Sequence, residues 1–88
     1  MIDPLSPQAI SDYKRDWMMR GPVAVTLHSD LRSQGKDWCK NWLNPIHWRM
    51  VKYTDNYEDT FYFEKMSHAK GLLQKFPEYT KLLTSEKQ

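Results

Sequence analysis

With 88 residues, 40% of them hydrophobic and 27% charged, the chain is long enough for one domain and too apolar for wholesale disorder. A formal net charge of +2, with acidic residues interspersed among the basic ones, excludes a polybasic tail. The single cysteine, Cys39, excludes an internal disulfide and points to a reducing, cytoplasmic setting.

The opening Met1-Ile2-Asp3-Pro4 has neither the basic nor the apolar region of a signal peptide. No apolar run approaches the roughly 20 residues that cross a bilayer, so a soluble protein without a membrane partner is expected. Aromatics reach 14%, four of them Trp, which predicts a largely aromatic core.

Ser6-Pro7 opens the first predicted helix, with Ser as cap and Pro at the first helical position. It runs over about 6–20 and stops at Gly21-Pro22, with Ile10, Tyr13 and Trp17 on one face and Met18 beside them. Val23–His28 is β-branched and alternating and reads as a strand. Ser29 or Asp30 caps a second helix whose apolar stripe is Leu31, Gly35, Trp38 and Trp42, flanked by Cys39 and Leu43; Asn44-Pro45 ends it.

Ile46 to Thr54 reads as a second strand, with Ile46, Trp48 and Met50 on one face and His47, Arg49, Val51 and Tyr53 on the other. Residues 55–59 form a polar hairpin loop, and Thr60 to Glu64 a third strand. Met66, Ala69, Leu72, Leu73 and Phe76 make a helical stripe that Pro77 breaks. Residues 79–84 fit either a short strand or a helical turn.

From about residue 22 to 84 the order is β-α-β-β-α-(β). The predicted fold class is therefore α+β: a ferredoxin-like antiparallel sheet with an extra N-terminal helix, in one domain over 1–88. Both core helices are expected on one face of the sheet. There Val25, Leu27, Trp48, Met50, Phe61 and Phe63 meet Trp38, Trp42, Ala69, Leu72 and Phe76. The extra helix either covers the open face or pairs with a second copy.

The open face would carry Thr26, His28, His47, Arg49, Val51, Tyr53, Thr60 and Tyr62. A sheet face with aromatics and a few cations can stack single-stranded bases, with Tyr53 and Tyr62 stacking and Arg49 and Lys52 on phosphates. The residues of a nucleic-acid site would be His47, Arg49, Tyr53 and Tyr62. An exposed Ile10/Tyr13/Trp17/Met18 face instead suits docking onto another protein, since methionines adapt to varied surfaces.

Thr60-Phe61-Tyr62-Phe63-Glu64, running into a helix with Ala69, resembles the aromatic third strand of the RNA-recognition motif family. The Lys/Arg-Gly start of that motif is replaced by Glu58-Asp59, and Phe61 and Phe63 face the helices, which leaves Tyr62 to stack. Trp48, Thr54, Phe61, Phe63, Glu64, Ala69 and Phe76 also resemble small uncharacterised proteins of marine bacteriophages. That resemblance implies a phage context and no particular mechanism.

Other candidates carry less chemistry. Cys39 lies near no residue that would activate it and reads as a small buried hydrophobe. His28, His47 and His68 with Cys39 match no metal-binding spacing; His28 and His47 become neighbours only if their strands pair, and His68 reads as exposed. Asp55, Glu58 and Asp59 lack EF-hand spacing and suit turn chemistry. Arg32 and Lys36 read as a solvated helix face, because the loop before them lacks P-loop glycines.

The sequence thus predicts no catalytic residues, no metal and no cofactor. It predicts a small non-enzymatic interaction or regulatory protein, with a protein partner or a second copy held by Tyr13, Trp17, Met18, Arg49 and Tyr53. The alternative is single-stranded nucleic-acid binding.

Overall fold

The computed structural model describes residues 6–52 and 57–84. Among them the chain forms α1 (Pro7–Met19), β1 (Val23–His28), α2 (Arg32–Trp42), β2 (Trp48–Val51), β3 (Glu58–Phe63), α3 (Met66–Lys75) and β4 (Thr80–Leu82). Short 3-10 turns at Ser29–Leu31 and Pro45–His47 precede α2 and β2.

The four strands make one sheet in the order β2-β3-β1-β4, and every neighbouring pair is antiparallel. The protein is therefore a mixed α+β structure. Residues 79–84, open between strand and helix in sequence, supply β4 on the β1 edge.

Local chemistry explains the element ends. Ser6 Oγ accepts from the Ala9 N–H (3.3 Å) with Pro7 at the first helical position, and Gly21 leaves the helix at φ +102°, where side chains are strained. The α2 start differs from expectation. Neither Ser29 nor Asp30 caps it; instead His28 Nδ1 accepts from the Asp30 N–H (3.2 Å), and the 3-10 turn feeds the helix.

Register sets the two faces of the sheet. Val23 pairs with Phe63, Val25 with Phe61 and Leu27 with Asp59, while Trp48 and Met50 lie opposite Phe63 and Phe61. Cross-strand partners share a face, so this set points to the helices. Val25, Leu27, Phe61 and Phe63 are fully buried there with Cys39, Ala69 and Leu72. Trp48 stacks on Phe61 and Phe61 on Phe63, each pair with ring centroids 6.4 Å apart.

Three expectations need correcting. Trp42 is 75% exposed and outside the core; of the expected stripe Gly35 is buried and Leu31 and Trp38 pack partly buried on the core, and Cys39, one turn after Gly35, is the other buried position of α2. The reason is space. A Cβ on Gly35 would sit 2.5 Å from Leu27 Cδ2 and 3.1 Å from Phe61 Cζ, so this helix approaches the sheet too closely for a second row of indoles. Ile46 and His47 belong to the 3-10 turn rather than to β2, because Asn44 Oδ1 accepts from the Ile46 N–H (3.0 Å) with Pro45 inside the turn. Glu58 and Asp59 are the first residues of β3 rather than hairpin loop. Tyr53 and Thr54, expected to finish the second strand, and Asp55 lie outside the described residues.

Gly35→Ala should cost about 1–2 kcal/mol, although Ala is the better helix former by roughly 1 kcal/mol, because overpacking outweighs propensity. A urea melt of the variant checks this; equal or greater stability would mean that α2 has room to retreat.

Candidate functional site

The candidate surface lies where α1 meets the β2 side of the sheet. α1 packs principally against the Pro45–His47 turn. Trp17 is 3% exposed, and its indole N–H donates to the Ile46 carbonyl at 2.8 Å. One turn earlier, the Tyr13 hydroxyl donates to the Glu64 carboxylate, 2.9 Å from Oε1 and 2.8 Å from Oε2. Tyr13 and Trp17 are thus the face by which α1 holds the body.

The neighbouring stripe of α1, with Ile10, Lys14 and Met18 half-buried, turns toward β2. Ile10, Lys14, Arg15, Met18 and Met19, together with Arg49 of β2, line an open groove of about 720 Å³. Met19 is 80% exposed. Lys14 Nζ lies 5.9 Å from the centre of the Trp48 ring, a cation–π contact. Burial, and then the Arg49 guanidinium, hold the Lys14 ammonium below its ordinary pKa. The groove thus mixes apolar and basic side chains, with both kinds on α1 and Arg49 on β2, and no carboxylate lines it among the described residues.

Beneath α1 lies a polar cluster that no motif announces. His47 Nδ1 is 2.7 Å from Glu64 Oε1. The His47 ring meets Tyr13 edge-on at 6.0 Å and lies 5.8 Å from the His68 ring. Burial alone would raise the Glu64 carboxyl, but hydrogen bonds from His47 and Tyr13 outweigh it and hold Glu64 below the usual range. The same bond, with burial and the Glu64 charge, raises the Tyr13 phenol. His68 is lowered first by burial, then by Lys65 and His47. Its Nδ1 is buried without a hydrogen-bond partner. Against the expectation of an exposed position, His68 is partly buried beside His47.

The expected contact residues therefore separate. Met18 and Arg49 line the groove, whereas Tyr13 is bonded to Glu64 on the fastening face of α1. Trp17 is an internal anchor, unavailable to a partner while α1 is docked. Tyr53 lies outside the described residues. Of the nucleic-acid set, Arg49 and Tyr62 are directly opposite each other on β2 and β3. His47 is not with them; it sits in the turn, bonded to Glu64. Nor are His28 and His47 neighbours, since β3 lies between β1 and β2.

Among the described residues, no group of three or more His, Cys, Asp or Glu side chains is arranged to hold a metal ion. Cys39 is fully buried, and burial pushes its thiol up to about 12, so it is a poor nucleophile near neutral pH. Among the described residues no helix is long and apolar enough to cross a membrane. Comparison with protein-family models, curated proteins and solved structures finds no match to this chain.

Proposed function

We propose that the protein is a small non-enzymatic interaction module of the cytoplasm that takes up an acidic, partly apolar segment of a partner protein along the α1–β2 groove. One observation carries this reading: Lys14, Arg15 and Arg49 face the same open groove as Ile10, Met18 and Met19, without a lining carboxylate among the described residues. Like charges gathered beside apolar surface are destabilising alone and are relieved by an incoming anion. Methionines at the rim suit a peptide of variable shape. The strand order and the placement of α2 and α3 between strands support a ferredoxin-like scaffold for this site. The resemblance of the Trp48–Phe76 stretch to small marine-phage proteins favours a phage setting.

The test is an amide NMR titration with a synthetic amphipathic Leu/Glu peptide, against a Leu/Lys peptide of the same pattern. The Glu peptide should shift Lys14, Met18 and Arg49. The double variant Lys14→Glu/Arg49→Glu should weaken binding about tenfold or more, since each close charge is reversed. Equal binding of the two peptides, or still amides at Lys14 and Arg49, would remove the groove from consideration. A mass that rises with concentration would make the occupant a second copy.

The direct pairing of Arg49 with Tyr62 favours a second reading, single-stranded nucleic-acid binding on the open face. It requires RNA to shift both residues and binding to weaken steeply with salt.

A further inference from the structure

We propose that the Tyr13–Glu64–His47–His68 cluster is a pH-sensitive latch that holds α1 against the body and thereby sets the shape of the α1–β2 groove. The consequence for binding rests on the groove reading above; the latch itself does not.

The geometry makes the cluster a fastening. Its four side chains come from α1, the Pro45–His47 turn, the link after β3, and α3. Tyr13 and Glu64 are 51 positions apart, so their bond joins the N-terminal helix to the far half of the chain. Trp17 gives α1 its other attachment, an apolar one ending in a single hydrogen bond to the Ile46 carbonyl. Ile10, Lys14 and Met18 lie on the next stripe of the same helix. A turn or lift of α1 about Trp17 therefore moves the groove wall.

The charges decide when the fastening holds. From α1, Tyr13 meets the cluster, with the ion pair of Asp16 and Arg20 (2.8 Å) near enough to act on its phenol. From the turn comes His47, from the link Glu64 and Lys65, and from α3 His68. With Glu64 ionised, it accepts from both Tyr13 and His47. A proton added to His68 places a cation with its ring centre 5.8 Å from that of His47, and near Lys65. Only Glu64 compensates, and less than the other causes oppose.

The sign follows. His68 is lowered from 6.5 in the folded protein, so its contribution is complete above that pH and is lost as the pH falls below it. Glu64 is lowered from 4.5, so its contribution is lost further down, in acid. Tyr13 is raised from 10.0, so its contribution is complete below that pH and is lost in alkali. The latch is closed between about 6.5 and 10 and loosens first on the acid side, through His68.

Amide hydrogen exchange on the full chain tests this, with protection of α1 amides taken relative to Val25 and Phe61 in the core strands. From about pH 7.5 to about pH 5.5, α1 should lose about threefold or more of that relative protection. His68→Gln should remove the response while the strands keep their protection. Tyr13→Phe, at an exposed position, should open α1 already at about pH 7.5. A flat ratio in the unsubstituted protein, or a response that survives His68→Gln, would overturn the latch. No peptide enters this measurement. A groove that binds nothing therefore leaves the latch result standing, and a failed latch leaves peptide binding near neutrality untouched.

Discussion

Arg32→Met should lower stability by about 3 kcal/mol, which in a domain of this size moves the thermal midpoint by roughly 15 °C. Asp59 is fully buried on the helix-facing side of β3, opposite Leu27. Arg32 Nε donates to Asp59 Oδ2 at 2.9 Å and Nη2 to Oδ1 at 3.2 Å, a two-point fork. Removing the guanidinium takes this two-point partner from a buried carboxylate, and breaking a buried pair costs about 3–5 kcal/mol. The lower end applies because the Arg32 side chain keeps 28% of its exposure. The double variant Arg32→Met/Asp59→Leu should recover most of the loss, since an apolar pair of similar volume removes both desolvation costs. Calorimetry on the three variants decides the matter. A single variant within about 0.5 kcal/mol of the parent would show that the ion pair does not hold the β1–β3 end of the core.

This pair also shows where sequence reading stops. In sequence Arg32 reads as a solvated helix position and Asp59 as a turn carboxylate; they are 27 positions apart, and no local pattern joins them. What was legible rests on short-range physics. The Ser6-Pro7 start, the Gly21-Pro22 stop and the alternation of Val23–His28 each act within a few residues, and α1 and β1 end where those signals place them. The apolar period of α2 marks the right helix and puts Gly35 on its buried stripe, but hydrophobicity also puts Trp42 there and leaves Cys39 on the flank, whereas the close approach to Leu27 and Phe61 admits small residues. Size decided that face, and periodicity does not measure size. For the candidate site, Met18 and Arg49 were recognisable as surface residues. The cluster was not, because it needs His47 to leave the strand alternation. Its one local sign was Asn44-Pro45, a capping residue before a proline, which starts a new turn as readily as it ends a helix.

Phe61→Ala should cost about 4 kcal/mol, a large part of the roughly 5–10 kcal/mol expected for a small domain. Phe61 has no exposed surface, stacks between Trp48 and Phe63, and lies over Gly35. Its loss opens a cavity at the closest approach of helix and sheet, where collapse is resisted from both sides. Its neighbour Tyr62 points the other way, opposite Ala24 and Arg49, and Tyr62→Ala should change stability by about 1 kcal/mol or less. Urea melts followed by circular dichroism separate the two. A similar loss at both positions would mean that the second face is also covered. The contrast bears on function. Only one ring of the Phe61-Tyr62-Phe63 run stands on the Arg49 face, so any base-stacking on this strand falls to Tyr62. If Tyr62→Ala leaves the fold intact and RNA affinity unchanged, the strand's aromatics serve the core alone. A loss of RNA binding without a loss of stability would instead make the Arg49–Tyr62 pair the reading surface and shift attention from the groove to the sheet.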